Sequence, residues 1–460
     1  MAKQSVEQKL EEKRHARLIP IFQGSQKEAA AVSVLLAVFR IIPEYAQTML
    51  KEVGAPWSAR SKLKAFTEIC FSKPKKSRQS LPRPDGLLIV DTSRKEWSAL
   101  IEAKIQKQEL SPEQIEKYLD LAKEHGVDAV ITISNQYATN PSHHPVSVDR
   151  RKLKGVDLYH FSWISILSNA ELLAQSNKVN DREQAMILKE LIMFLKNPKS
   201  GVEAFDRMGT GWRDLSMKIQ NAVTPGKSDS DLVEAASDWL QLTRYLSLTL
   251  SANIGKRVEI TLSRKHQKDS SERFSSHLTT MIDRCRFTDT FTIPNTAGEI
   301  KLESDFRRRT IGLEMRVKPP GDKKRPTAAI NWLTKQLRDG TPGDTLIICH
   351  WPGRLAATAQ TLEHTLQFPE DLVPDGANGL PTSFDVRQVT SLGARFKGAK
   401  TLVEDCEKCF ISFYQSVGQK ITPWTPPPPK YKRPKSESDF ADEADGPEDN
   451  LGDVAVDMSG

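Results

Sequence analysis

Apolar positions recur along this chain in two rhythms, and each change of rhythm predicts an element boundary. Residues 25–54 carry apolar side chains at helical spacing, almost unbroken from 29 to 42, which predicts one long helix with Pro43 inside it. Residues 67–71 read as a strand. Residues 87–91 are an apolar run, 92–96 a polar turn, and 99–101 a returning strand, so a hairpin is predicted. Ser111, Pro112 and Glu113 have the chemistry of a helix start: serine as N-cap, proline at the first position, an acid in the first turn. That helix should end near His125, with Gly126 as its stop. Residues 127–133 and 156–163 read as buried strands, and 164–174 and 182–195 as helices. The predicted order is helix, three strands, helix, strand.

Residues 1–20 are charged and poor in apolar side chains, and read as a helical leader. Residues 197–201 (Asn-Pro-Lys-Ser-Gly) mark a boundary. Beyond it the pattern is helical up to 253. Then come a strand at 257–262, a polar break at 266–271 and a helix at 274–285. Strands at 287–293, 299–306 and 310–317 lead to a helix at 327–338, a strand at 345–350 and a last helix at 400–417. One passage echoes the first half. Asp305, then Glu314-Met315-Arg316 closing an apolar strand, precede a helix and a strand. An unrelated α/β accessory domain is the favoured reading over a degenerate duplication. Residues 423–429 are Pro-rich and extended, and the acidic segment after them is expected to be disordered. The expected architecture is therefore α/β: a leader at 1–20, a first domain at 21–200, an accessory α/β domain at 201–420, and a linker and tail at 421–460.

Charge alters this picture. The formal net charge of the 460 residues is +7, but residues 436–460 hold nine acids and no Lys or Arg, so residues 1–435 carry +16. A body that basic attracts polyanions. Lys73, Lys75, Lys76 and Arg78 form one cluster between the first two predicted strands; Arg150, Arg151, Lys152 and Lys154 form another. The acidic tail would either compete with a polyanion for the basic body or recruit basic partners. Five cysteines without framework spacing fit a reducing cytosol, and Cys406-x-x-Cys409 lacks a second pair that would make it a zinc site. No stretch reads as a membrane span or a secretory signal, so a cytoplasmic protein is expected.

The chemistry concentrates in residues 84–104. Pro84-Asp85-Gly86 opens the hairpin, and Glu102-Ala103-Lys104 closes it. Pairing of the two strands brings Asp85 near Glu102, and alternation puts Glu102 and Lys104 on one face. Two carboxylates with few other ligands suit Mg²⁺, which keeps water and takes its remaining ligands from phosphate. A lysine beside them can orient water or neutralise charge on phosphorus. Gln114 and Tyr118, four apart, share a face of the following helix.

These residues resemble the PD-(D/E)XK nuclease superfamily, and the Gln-x-x-x-Tyr helix resembles its RecB-like branch. The resemblance covers roughly residues 20–165. It implies a restriction-endonuclease-like αβββαβ core and a Mg²⁺-dependent phosphodiesterase, with Mn²⁺ as a substitute, acting on nucleic acid and on DNA in particular. It implies that Asp85 and Glu102 hold the metal, that the Ala103 carbonyl adds to it, and that Lys104 assists the attacking water. Gln114 and Tyr118 would lie beside the metal and substrate, and Glu28 in the first helix would complete the site. Lys73, Lys75, Lys76 and Arg78 would contact nucleic acid. Restriction, phage defence and repair are the implied settings. Endonuclease or exonuclease action, and a protein partner or homo-oligomer, stay open.

Plainer readings stand beside these. Asp85-Gly86 is also a turn signal, and Glu102 with Lys104 could be a solvated ion pair. Ser111 to Gln114 and Ser25 to Glu28 both have capping-box spacing, so Glu28 reads equally as a cap and as a site acid. Tyr118 could be core. Glu68 fits a surface strand better than a ligand. A non-catalytic nucleic-acid-binding or scaffold protein on a nuclease fold is the alternative, and the intact Asp, Glu and Lys weigh against it.

Overall fold

Two β-sheets, each with its own helices, organise the chain in the computed structural model. It describes residues 5–19, 27–72, 82–106, 108–176, 178–377 and 379–426. The first sheet is built from β1 (Leu10–His15), β2 (Lys62–Phe71), β3 (Gly86–Asp91), β4 (Glu96–Ala103), β5 (Ala129–Ser134) and β6 (Asp157–Ser162). Helices α1 (Lys27–Ile41) and α2 (Pro43–Lys51) precede β2, and α3 (Pro112–His125) links β4 to β5. Helices α4 (Trp163–Gln175) and α5 (Arg182–Lys196) follow β6. The strand order is sequential. β1 to β4 are mutually antiparallel, while β4, β5 and β6 are parallel, so this is a mixed sheet.

Both faces of this sheet are covered. Leu88, Val90, Ala99 and Ile101 face α1, α2, α4 and α5, while Leu87, Ile89 and Leu100 face α3. Central strands buried on two sides need continuous apolar runs, which is why residues 87–90 and 99–101 lack alternation. Gly86 marks a close contact between α1 and β3. A Cβ there would come within 2.7 Å of the Leu36 Cδ1 methyl and 3.3 Å of Val32, both on α1, so a larger residue would have to displace these side chains.

The second half continues with α6 (Thr210–Gln220), α7 (Ser230–Ile254), β7 (Glu259–Ile260), α8 (Arg264–Lys268), α9 (Ser270–Arg284), β8 (Arg286–Thr292), β9 (Ile300–Asp305) and β10 (Thr310–Val317). Then follow α10 (Pro326–Leu337), β11 (Leu346–His350), β12 (Thr358–Thr361), α11 (Leu362–Gln367), β13 (Ser383–Ser391) and α12 (Ala399–Phe413). Its seven strands form an antiparallel sheet in the order β12-β11-β13-β10-β9-β8-β7. A core rich in aromatics fills one face, with Trp212, Trp239, Phe287 and Phe306 fully buried. Residues Met1–Pro423 form one compact unit containing both sheets. Arg273 of α9, buried against Asp289 at 2.8 Å, also donates to Thr139 from the first half.

Several expectations are corrected. The leader is a strand, not a helix: residues 10–15 pair with β2, and the backbone ladder decides where side-chain composition says little. As an edge strand it carries charged side chains, which block further pairing. The long helix at 25–54 is broken at Ile42, and α1 and α2 bend by 109° because Pro43 begins a new helix rather than continuing the old one. The strand at 257–262 shrinks to two residues, and the polar break at 266–271 holds the end of α8 and the start of α9. Residues 197–201 are pinned in place: the Gly201 carbonyl accepts from Gln106 N at 2.8 Å and Asn135 Nδ2 at 3.0 Å. The echo of the first half also dissolves. β11 pairs antiparallel with β13 rather than parallel with β10. Asp305 faces Thr310 across the hairpin, four residues or about 13 Å along β10 from Glu314.

Among the described residues no single helix is long and apolar enough to cross a membrane. Lys73, Lys75, Lys76, Arg78 and the acidic tail at 436–460 lie outside the described residues.

Candidate active site

Four elements converge where β4 ends. β3 and β4 pair with Gly86 opposite Ile101, which sets Asp85, one residue ahead of β3, beside the Glu102-Ala103 step. The Ala103 N–H donates to Asp85 Oδ2 at 2.8 Å. Glu102 is 2 % exposed and lies on the α3 face of the sheet. Lys104 Nζ donates to Glu102 Oε1 at 2.5 Å. The Lys104 backbone is fixed on both sides: its N–H donates to Ile133 O at 2.7 Å, and its carbonyl accepts from Trp163 Nε1 at 2.9 Å.

Helix α3 supplies the next pair. Ser111 caps it, accepting from the Gln114 N–H, and Gly126 in the left-handed conformation ends it, as the sequence suggests. The Gln114 side chain turns to the site: Nε2 donates to Glu102 Oε1 at 2.8 Å and to Tyr118 Oη at 3.1 Å. Tyr118 is buried and its hydroxyl donates to the Arg83 carbonyl at 3.2 Å, holding the segment that carries Pro84 and Asp85. Glu28 comes from α1. Its Oε1 accepts from the Ile105 N–H at 3.5 Å, and it lines the same cleft as Asp85. That cleft measures about 630 Å³ and is also bordered by Lys27, Glu68 and Arg83.

The electrostatics of this cluster are unusual. Burial, and then the Glu102 charge, push the Asp85 carboxyl up to about 7. Burial pushes the Lys104 ammonium down, but the Glu102 hydrogen bond and charge outweigh it and hold it above the usual lysine range. Burial first, then the neighbouring Glu102, push the Tyr118 hydroxyl well up, so it stays a donor. Removing two carboxylates from water costs more than one lysine returns, so the arrangement is a poor device for stability.

A divalent cation fits these residues. Glu102 Oε2 is buried and has no hydrogen-bond partner, although Oε1 receives two donors. Asp85 Oδ1 accepts no hydrogen bond from the described residues, while Oδ2 is held by Ala103. One oxygen of each carboxylate is thus left for a cation. Among the described residues no cluster of three or more His, Cys, Asp or Glu suits a metal ion. A two-carboxylate site would draw its remaining ligands from main-chain oxygen, water and phosphate.

No protein-family model, curated protein or solved structure matches this chain. The chemistry of the site therefore carries the functional reading.

The structure brings Asp85, Glu102, Ala103, Lys104, Gln114 and Tyr118 together, with Glu28 on the rim. Glu68 borders the cleft too, at a bulge in β2, where it pairs with Arg14 at 2.5 Å. A strand-register shift leaves no mark in the sequence, so this placement could not be read there. Arg150, Arg151 and Lys152 are engaged by Asp269, Asp149 and Asp120. His144 and His160 share Thr132 in a buried network. Cys406 is buried in α12, and Cys409, partly exposed, lies 3.5 Å from Thr390 Oγ1; both are free thiols.

Proposed function

We propose that the protein is a metal-dependent nuclease that hydrolyses phosphodiester bonds, with DNA as its substrate, on a restriction-endonuclease-like core. The observation that carries this reading is the meeting of Asp85, Glu102, Lys104 and Gln114 at one point, with a buried Glu102 oxygen left unpartnered. The run from α1 through β2, β3, β4 and α3 to β5 supports it, since that is the helix, three strands, helix and strand expected of such a core.

In this reading Asp85 and Glu102 hold Mg²⁺, with Mn²⁺ as a substitute, and Glu28 and the Ala103 carbonyl complete the set. Mg²⁺ bound there supplies positive charge against phosphoryl oxygens and makes water more acidic. The chain's own groups do the remaining work. Gln114 grips Glu102 Oε1 and so would leave Oε2 as the oxygen able to hold the metal. Tyr118 fixes both Gln114 and the Arg83 carbonyl, which sets the approach of Asp85. Lys104, held cationic, donates hydrogen bonds to water or to the charge that develops on phosphate oxygen. Restriction, phage defence and repair are the settings this chemistry suits.

Incubation of the full chain with linear, circular and single-stranded DNA, and with RNA, in Mg²⁺, Mn²⁺ or EDTA tests the reading. Metal-dependent cleavage of DNA is expected. Binding without cleavage in either metal would favour a non-catalytic nucleic-acid-binding protein instead.

A further inference from the structure

β1 is the outer strand of the first sheet, and two of its side chains, Glu12 and Arg14, pair with residues that line the cleft. It pairs with β2 irregularly: Leu10 faces Phe71, Glu12 faces Cys70, and Arg14 faces Thr67. Between the last two pairs β2 carries one residue more than β1. Glu68 sits at that bulge with φ +50°, in the left-handed region that an L side chain rarely occupies. Glu68 lines the cleft and meets the Arg14 guanidinium beside it at 2.5 Å. A second pair lies alongside. Arg83, which lines the cleft two residues before Asp85, is 3.4 Å from Glu12.

Neither pair makes sense as a stabilising device. The arginine side chains are 71 % and 66 % exposed, and exposed ion pairs add little to stability. They do keep Arg83 on the lining of an acidic cleft and Arg14 beside it, bonded to Glu68 of that lining. A phosphodiester offers two anionic oxygens in the planar geometry that a guanidinium binds bidentately. Exchange of Glu68 and Glu12 for phosphate would lose little and gain counterion release.

We propose that Arg14 and Arg83 grip the phosphate backbone beside the cleft, with Glu68 and Glu12 holding them in place until nucleic acid displaces the carboxylates. This rests on the reading of the cleft as a phosphodiester site and names the cations that bind its substrate. The strand β1 is then part of the substrate clamp, not a leader.

The test is equilibrium binding of a short fluorescent DNA duplex to the full chain in EDTA, where nothing is cut, across a salt series. Arg14→Ala and Arg83→Ala should each weaken binding roughly eightfold at 0.1 M salt and reduce the salt slope by about one. Arg14→Lys and Arg83→Lys should restore the slope, because charge is kept, and Glu68→Gln should tighten binding. Both arginines are exposed, and melting curves check that the variants fold. Loss of affinity in a protein that binds DNA but never cuts it would uphold the contacts while sinking the nuclease reading. Unchanged affinity and slope in both alanine variants would overturn the proposal, as would a wild-type chain that binds no duplex.

Discussion

Gln114 and Glu102 meet at 2.8 Å, Nε2 to Oε1, although one lies on a helix and the other on a strand twelve residues earlier. The amide is held from behind by the Tyr118 hydroxyl at 3.1 Å. Gln114 also donates its backbone N–H to the Ser111 cap, so its main chain serves the helix and its side chain serves the site. Substitution of the side chain should therefore affect turnover more than folding. Gln114→Ala and Tyr118→Phe are expected to slow cleavage at least tenfold, by a rough estimate for a lost positioning group, with little change in melting temperature. If they serve only the helix and core, stability falls by about 0.5–2 kcal/mol, as for a lost cap, and activity per folded molecule holds. Measuring both on the same samples decides between the two.

Asp85 gives a prediction with a definite sign. Its folded pKa, near 7, lies above the unfolded value of about 3.9. Such a group favours the fold only below the unfolded value, and that contribution is lost as pH rises towards 7. Without metal, Asp85→Asn should raise the melting temperature at pH 8 by at least about 2 °C, and the gain should vanish near pH 4. Mg²⁺ should stabilise the wild type and leave Asp85→Asn unmoved. A variant that melts no higher than wild type in EDTA at pH 8 would count against the buried, charge-crowded carboxyl.

Two histidines, His160 buried and His144 half-buried, predict an acid limit. His144 Nε2 lies 2.7 Å from Thr132 Oγ1, Thr132 Oγ1 lies 2.8 Å from His160 Nδ1, and His160 Nε2 lies 2.9 Å from the Gln136 carbonyl. The chain is satisfied with both rings neutral: His144 donates to Thr132, Thr132 to His160, and His160 to Gln136. Burial pushes His144 down to about 4 and His160 down to about 3. The unfolded chain binds these protons from about pH 6.5 downward, so stability present above 6.5 is lost on acidification, by up to about 1.4 kcal/mol per pH unit for each ring. His160→Gln should flatten that acid limb in a melting-temperature profile from pH 7 to 4.5. Parallel limbs for variant and wild type would remove His160 as the cause.

The sequence showed the hairpin and α3 because their signals are local: an apolar run, a polar turn, a Ser-Pro-Glu start and a glycine stop. It showed the meeting of Asp85, Glu102 and Lys104 because strand pairing and alternation follow from that hairpin. It hid β1, whose Glu11, Glu12, Lys13 and Arg14 offer no apolar period and whose strand state comes from the β2 edge. β13 was missed for a related reason. Only Phe384 and Val386 along it are fully buried apolar positions, too short a pattern beside the polar Asp385, Arg387 and Gln388. Pro43 is visible in the sequence, but the apolar pattern continues through it while the chain turns by 109°.

Cleavage itself is the most direct measure of the central claim. Linear duplex DNA should be compared in Mg²⁺ with wild-type chain, Asp85→Ala, Glu102→Ala and Lys104→Ala, each checked for folding and for duplex binding in EDTA. Cleavage is expected from wild type alone, with duplex binding near normal in all four, because phosphate contacts come mainly from Lys and Arg. Cleavage at wild-type rate by both folded Asp85→Ala and Glu102→Ala would contradict the claim.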